Sequence, residues 1–229
     1  MIGELLRYLA RKKVNVVFND LTLNKPVSPV FGLDRGTAID RYYIEKFLLK
    51  NSRYIRGRVL EVGDSSYSKK FAGGEVSSFE VLYTVPGNKA ATLVGDLTDL
   101  ATLPKNYADC FICTQTFNFI FDVQKAIAGS HHILKPGGIL LATVAGISQI
   151  SRYDMERWGD YWRFTTASVK KLFGQVFKAA VEVEAFGNVL AATAFLQGVA
   201  VEDLPDKALL DENDPDYQLI ITIVAEKAA

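Results

Sequence analysis

Cysteine is nearly absent: the 229 residues contain two, Cys110 and Cys113. Their C-x-x-C spacing suggests a redox pair or half a zinc site until its context is read. The segment from Asp109 to Thr114 is apolar and bounded by turn residues, so it reads as a buried strand. Residues three apart on a strand point to opposite faces, which excludes a shared disulfide or metal and leaves two buried structural thiols. Net charge is lacking too. Twenty-six basic residues offset twenty-six acidic ones, so no overall field draws nucleic acid or an anionic membrane. The basic Arg11, Lys12 and Lys13 and the acidic run from Glu202 to Asp216 read as solvated surface. No apolar run reaches membrane-spanning length, and the start has no signal-peptide core, so a soluble cytoplasmic protein is expected. Repeats and low-complexity tracts are missing as well.

What is there suits one α/β domain. The hydrophobic fraction of 49% is ample for a buried core. Met1 to Leu9 could form a short helix, and Asn19 to Gly36, with Pro26, Pro29 and Gly32, is a loop with turns. Thr37-Ala-Ile-Asp40 matches a capping box and should start a helix that runs to about Lys50. Strands are expected over Arg58 to Gly63, Ser78 to Val85, Ala91 to Gly95, Asp109 to Thr114 and Ile139 to Val144, with a helix from about Asp122 to Leu134 before the last. This alternation argues for βαβ units and a parallel sheet. Thr166 to Phe177 and Leu190 to Gly198 read as helices, and Ala179 to Ala185 and Tyr217 to Ala225 as strands. The final strand is nearly all apolar and β-branched, so it belongs inside the sheet.

Four segments carry a resemblance. Val59-Leu-Glu-Val-Gly-Asp-Ser-Ser-Tyr67 is a hydrophobic strand, an acidic residue and a glycine turn before a helix. Leu93-Val-Gly-Asp-Leu97 sets a carboxylate after the third strand, and Asp109-Cys-Phe-Ile-Cys-Thr-Gln-Thr116 makes the fourth strand and its exit. Ile133-Leu-Lys-Pro-Gly-Gly-Ile-Leu-Leu141 is the most specific, a helix, a turn and a strand. In order and spacing these resemble the class I S-adenosylmethionine-dependent methyltransferases. Phe31-Gly-Leu-Asp-Arg-Gly36, Ile39-Asp-Arg-Tyr-Tyr-Ile44 and Trp158-Gly-Asp-Tyr-Trp-Arg-Phe-Thr165 resemble a bacterial group of methyltransferase-domain proteins often found beside glycosyltransferases.

The resemblance implies a doubly wound, Rossmann-like α/β sheet, mostly parallel with an antiparallel strand near the C-terminus. It implies an N-terminal extension and cap helix over 1–56 and a methyltransferase-like domain over 57–229. It also implies S-adenosylmethionine as cofactor, held by Glu61, Gly63, Asp64, Tyr83, Asp96, Leu97, Thr114, Gln115 and Thr116. Two departures stand out: Ser65 and Tyr67 replace the second and third glycines, and the second strand ends at Tyr83 and Thr84 without the usual ribose-binding acid.

Acceptor chemistry is less sharply written. Trp158 to Thr165 follows the fifth strand and is either a polar-aromatic wall suited to a sugar or a packed corner in which Arg163 bonds backbone carbonyls. Arg35, Arg41, Tyr43, Trp158, Trp162 and Arg163 are the substrate-binding candidates, though an Arg35–Asp40 ion pair would explain those two equally. Asp160, Asp40 and Tyr42 are candidates for a base. His131 and His132 sit late in a helix, away from the strand carboxyl ends, and read as structural. The expected activity is methyl transfer to a small polar acceptor, a sugar or glycan hydroxyl or amine, with a non-catalytic binding or scaffold module as the alternative.

Overall fold

Seven strands form one sheet in the order β3-β2-β1-β4-β5-β7-β6. They are β1 (Gly57–Val62), β2 (Val76–Tyr83), β3 (Leu93–Val94), β4 (Ala108–Thr114), β5 (Leu134–Ala145), β6 (Val181–Phe186) and β7 (Ile220–Glu226). The computed structural model describes residues 24–178 and 181–228; the proposed helix from Met1 to Leu9 and the Arg11–Lys13 cluster lie outside them. Pairings from β3 through β5 are parallel, while β7 runs antiparallel to both β5 and β6. The chain winds outward through β1, β2 and β3, then returns to β4 on the other side of β1. That reversal opens a crevice at the strand carboxyl ends, where open α/β sheets bind ligands.

Period-two alternation fills both faces. Leu60, Phe111, Cys113, Leu140 and Ala142 join one apolar cluster, and Val59, Cys110, Ile112, Ile139 and Leu141 the other. The two thiols are therefore buried on opposite sides of the sheet, unpaired. Helices α2 (Ser66–Phe71), α3 (Val123–Ile133), α5 (Thr166–Phe177) and α6 (Val189–Gln197) flank the strands, with α1 (Ile39–Lys50) before β1 and the short α4 (Arg152–Met155) after β5. On α1, Ile39, Tyr43, Ile44, Phe47 and Leu48 are buried at helical spacing. Among the described residues no helix is long and apolar enough to cross a membrane.

Several boundaries move. The Lys135-Pro-Gly-Gly138 segment, expected as a turn, is the first part of β5, its Gly137 N–H bonded to the Lys227 carbonyl. The third strand shrinks to two residues. α1 starts at Ile39 with no side-chain cap, because Thr37 is taken elsewhere: its N–H and Oγ both donate to the Glu202 carboxylate at 2.7 Å. A carboxylate reaching in from 165 residues away displaces the local capping box.

The acidic run is likewise not free surface. Glu202 holds Thr37, Asp203 takes Arg35 in a two-pronged ion pair, and Asp211 accepts from Tyr42 Oη at 2.7 Å and Lys46 Nζ at 2.6 Å. The Arg35–Asp40 pair, the alternative to a ligand role for those residues, does not form; Arg35 pairs with Asp203. Backbone contacts reinforce this N-terminal strap, residues 28–38 leading into α1: Ser28 N–H donates to the Gln197 carbonyl, and Ala38 bridges to Ala200.

Candidate functional site

Two cavities adjoin at the carboxyl ends of the strands. The larger, of 780 Å³, is bounded by the exits of β1, β2, β3 and β4 and by the turn after α4. The smaller, of 540 Å³, lies between the exits of β4 and β5, the N-terminal strap and α1. Gln115, Phe119, Tyr153 and Asp154 line both.

Gly63 makes the larger cavity possible. It adopts φ +89°, and a Cβ added there would meet nothing within 4 Å, so the backbone borders open space. Its N–H is held by the Leu82 carbonyl at 3.0 Å and its carbonyl accepts from Asn88 Nδ2 at 2.8 Å. Asp64, Tyr83, Asp96, Leu97, Gln115 and Thr116 join Gly63 on the lining. Asp64 Oδ1 accepts from the Ser66 N–H at 2.6 Å, and Asp96 Oδ1 is taken by the N–H and hydroxyl of Thr98. No hydrogen bond within the chain occupies Asp96 Oδ2 among the described residues. The lining fits an adenosyl ligand: a glycine turn that leaves space beside the backbone and a carboxylate for an amino group or hydroxyl. Tyr83 packs edge-on against Trp158, their ring centres 6.0 Å apart, and closes one side.

Glu61 is a correction. It is 4% exposed, does not line the cavity, and accepts from the N–H groups of Tyr67 at 3.2 Å and Ser68 at 2.8 Å. Burial pushes its carboxyl up, opposed by those amides. Glu61 thus ties β1 to the start of α2 and fixes the glycine turn from behind. The third-glycine position, Tyr67, also points inward, against Phe71 and under Arg41, whose Nη1 donates to its hydroxyl at 2.7 Å. Neither substituted glycine position lines the cavity.

The boundary between the cavities carries backbone strain. Gln115 leaves β4 with φ +49°, a rare conformation for a side-chain-bearing residue. Its N–H is fixed by the Thr143 carbonyl at 2.8 Å and its Oε1 by Asn118 at 2.9 Å, while Asn118 Oδ1 accepts from the Ala145 N–H. Adjacent strand ends thereby hold Gln115 where both cavities meet.

Of the acceptor-side candidates, Asp40, Arg41, Asp160 and Arg163 line the smaller cavity, as does Thr114, and Trp158 lines the larger. Asp160 is 1% exposed and doubly bonded by Arg163, which also reaches the Ser148 and Gln149 carbonyls. Its second oxygen further accepts from the Ser151 N–H at 2.9 Å, so this carboxylate is a brace rather than an available base. Four candidates are brought into neither cavity. Arg35 and Tyr42 face the acidic segment; Tyr43 is buried, its hydroxyl donating to the Leu210 carbonyl at 2.8 Å; Trp162 donates its indole N–H to the Ile120 carbonyl and stacks on Phe121. His131 stands edge-on to Phe177, 5.1 Å between ring centres, remote from both cavities.

Sequence reasoning missed Asn88 and the α4 wall. Asn88 was legible as a turn residue in Pro86-Gly-Asn88, and α4 as Ser151-x-x-Asp154, in which Ser151 Oγ accepts from the Asp154 N–H. The wall supplies Tyr153, Asp154 and Arg157, the Arg157 guanidinium lying 3.5 Å over the Tyr153 ring.

Comparison with known proteins agrees with this architecture. Residues 52–142 match a family described as a methyltransferase domain. No curated protein sequence matches the chain. Among solved structures, a chain from the complex between the Haloferax volcanii Trm112 methyltransferase activator and a methyltransferase superposes with a TM-score of 0.55 at 17% identity, over 83% of this chain and 92% of that one. A SAM-dependent methyltransferase from Archaeoglobus fulgidus gives 0.51 at 13% identity, over 82% and 94%. The [4+2]-cyclase SpnF gives 0.55 at 15% identity, over 85% and 84%. Residues 52–142 are thus similar to a methyltransferase-domain family, and the fold around them is the one these structures share.

Proposed function

We propose that the protein transfers a methyl group from S-adenosylmethionine in the larger cavity to a small polar acceptor in the smaller one, a sugar or glycan hydroxyl or amine. The observation that carries this reading is the junction: Gln115, Phe119, Tyr153 and Asp154 border both cavities, so a donor on one side meets an acceptor on the other. The cofactor supplies an electrophilic methyl on a sulfonium. The chain's own work is orientation. Gly63, Asn88 and Asp96 position the donor, and the braced Asp160–Arg163 pair with the strap residues shapes the acceptor side. Holding two reactants in line is the largest contribution available to such a displacement.

Of the two features that favour a non-catalytic scaffold role, the substituted glycines do not fill the cavity, while the second strand still ends without a ribose-binding acid. The cyclase among the structural neighbours shows that this fold alone does not dictate the chemistry. Incubating the protein with methyl-tritiated S-adenosylmethionine and a panel of glycosides, phenols and amines tests the reading. Label transferred to a panel member supports it; a protein that binds the cofactor yet labels nothing supports the scaffold reading.

A further inference from the structure

Three carboxylates line the smaller cavity, and two are engaged. Asp160 is held by Arg163 and Ser151, and Asp154 Oδ2 accepts from Ser151 Oγ at 2.5 Å. Asp40 has no side-chain donor: like Asp154 it accepts one hydrogen bond and among the described residues joins no salt bridge, but its donor is the backbone N–H of the adjacent Arg41 at 2.8 Å. A carboxylate offers about four acceptor positions. A half-buried one with a single partner is costly unless a ligand completes it.

We propose that Asp40 takes the proton from the acceptor, and that the acceptor is a ring compound methylated on a hydroxyl. The proposal rests on the two-cavity reading above. In the step, the hydroxyl oxygen attacks the methyl carbon, a C–O bond forms and the C–S bond breaks. Sulfur keeps the electron pair and becomes a neutral thioether, and the hydroxyl proton passes to Asp40 and then to water. A hydroxyl needs such a base, whereas an amine attacks with its own lone pair.

Shape selects the class. Of the guanidinium groups lining the cavity, Arg163 is paired with Asp160, while Arg41, bonded to the neutral Tyr67 hydroxyl with that ring 5.7 Å below it, and the exposed Arg152 join no salt bridge among the described residues. Phe31, Ile44, Phe119, Phe195 and Ile220 supply apolar surface for one face of a ring, and 540 Å³ suits a molecule of monosaccharide or phenol size.

Burial pushes the Asp40 carboxyl above its ordinary range, partly offset by Arg41, which is the direction a base working near neutrality needs. Arg41 and Tyr67 are the charged and titratable groups on its own side, and Asp64 lies beyond Arg41. Across the cavity stand Arg152, Asp154 and the closed Asp160–Arg163 pair.

The test compares wild type with Asp40→Asn on the same labelled panel and on thermal unfolding. The expected product is a methyl ether, and kcat in Asp40→Asn falls by about 100-fold or more while the dissociation constant for S-adenosylhomocysteine stays within about two-fold. The rising limb of the kcat–pH profile should vanish in the variant. A product methylated on nitrogen or carboxylate, or a variant within about three-fold of wild-type kcat, overturns the proposal. A second readout needs no acceptor: Asp40→Asn should unfold at a higher temperature than wild type at pH 7, with the difference closing below about pH 4, where an unfolded-state aspartate is protonated. Equal melting temperatures at pH 7 contradict the buried, underpartnered carboxylate. Failure of the cofactor itself to bind would instead sink the two-cavity reading.

Discussion

Arg35 and Asp203 stand 168 residues apart and meet in a two-pronged ion pair, Nε to Oδ2 at 2.7 Å and Nη2 to Oδ1 at 2.9 Å. With Thr37–Glu202 and Tyr42–Asp211 it binds the N-terminal strap to the segment after α6. The strap in turn carries Phe31, Ala38 and Asp40 to the smaller cavity. Arg35 thus fastens one wall of the smaller cavity without lining it.

That fastening should loosen in acid. Hydrogen bonds from Arg35, Thr37 and Lys46 hold Asp203, Glu202 and Asp211 below their ordinary carboxylate range. A depressed native pKa gives stability that is present above the unfolded value, about 4, and lost as pH falls through the native value. Hydrogen exchange of the strap amides, such as Gly36 and Thr37, should therefore accelerate below about pH 4 while β4 and β5 stay protected. Arg35→Ala should accelerate the same amides at pH 7 and leave affinity for S-adenosylhomocysteine within about two-fold, because exposed pairs contribute little individually.

Asp96 offers a separate test of the donor side. Its Oδ1 is spent on Thr98, and its other oxygen is unclaimed within the described chain. Asp96→Ala should weaken binding of S-adenosylhomocysteine by about ten-fold or more, the loss expected for one hydrogen bond to a charged group. Unchanged affinity by titration calorimetry would move the adenosyl group away from β3.

Gly129 on α3 packs against the Leu97 backbone, where a Cβ would run into the Leu97 carbonyl. Backbone cannot yield as a side-chain tip does. Gly129→Ala should destabilise by about 1–3 kcal/mol, measured by urea unfolding, and also weaken cofactor binding because Leu97 lines the larger cavity.

Cys110 and Cys113 should resist thiol reagents in the native protein and react once it is unfolded. Both are fully buried, and burial raises both thiols, Cys113 to about 12. Rapid native labelling would mean that β4 opens readily.

The strands and long helices were legible because their signals are local. An apolar run builds β4 and a β-branched one β7, and Thr166 to Phe177 shows an apolar stripe behind the capping residue Thr165. The glycine turn and Asp96 were legible for the same reason. What was not legible depends on partners far along the chain. Thr37 looked like a helix cap until Glu202 claimed it, and Tyr42 looked like a base until Asp211 and Lys46 did. Glu61 failed differently: strand alternation cannot say whether a strand-end carboxylate faces the ligand or the amides of the next helix, and here it takes the amides.

The central claim is that the cavity over Gly63 holds the methyl donor. Titration calorimetry with S-adenosylhomocysteine, on wild type and on Gly63→Val, tests it most directly. The branched side chain would project into the open space that glycine now leaves, so wild type should bind one equivalent and the folded variant none. A wild type without measurable heat, or a folded Gly63→Val that binds as wild type does, would contradict the account.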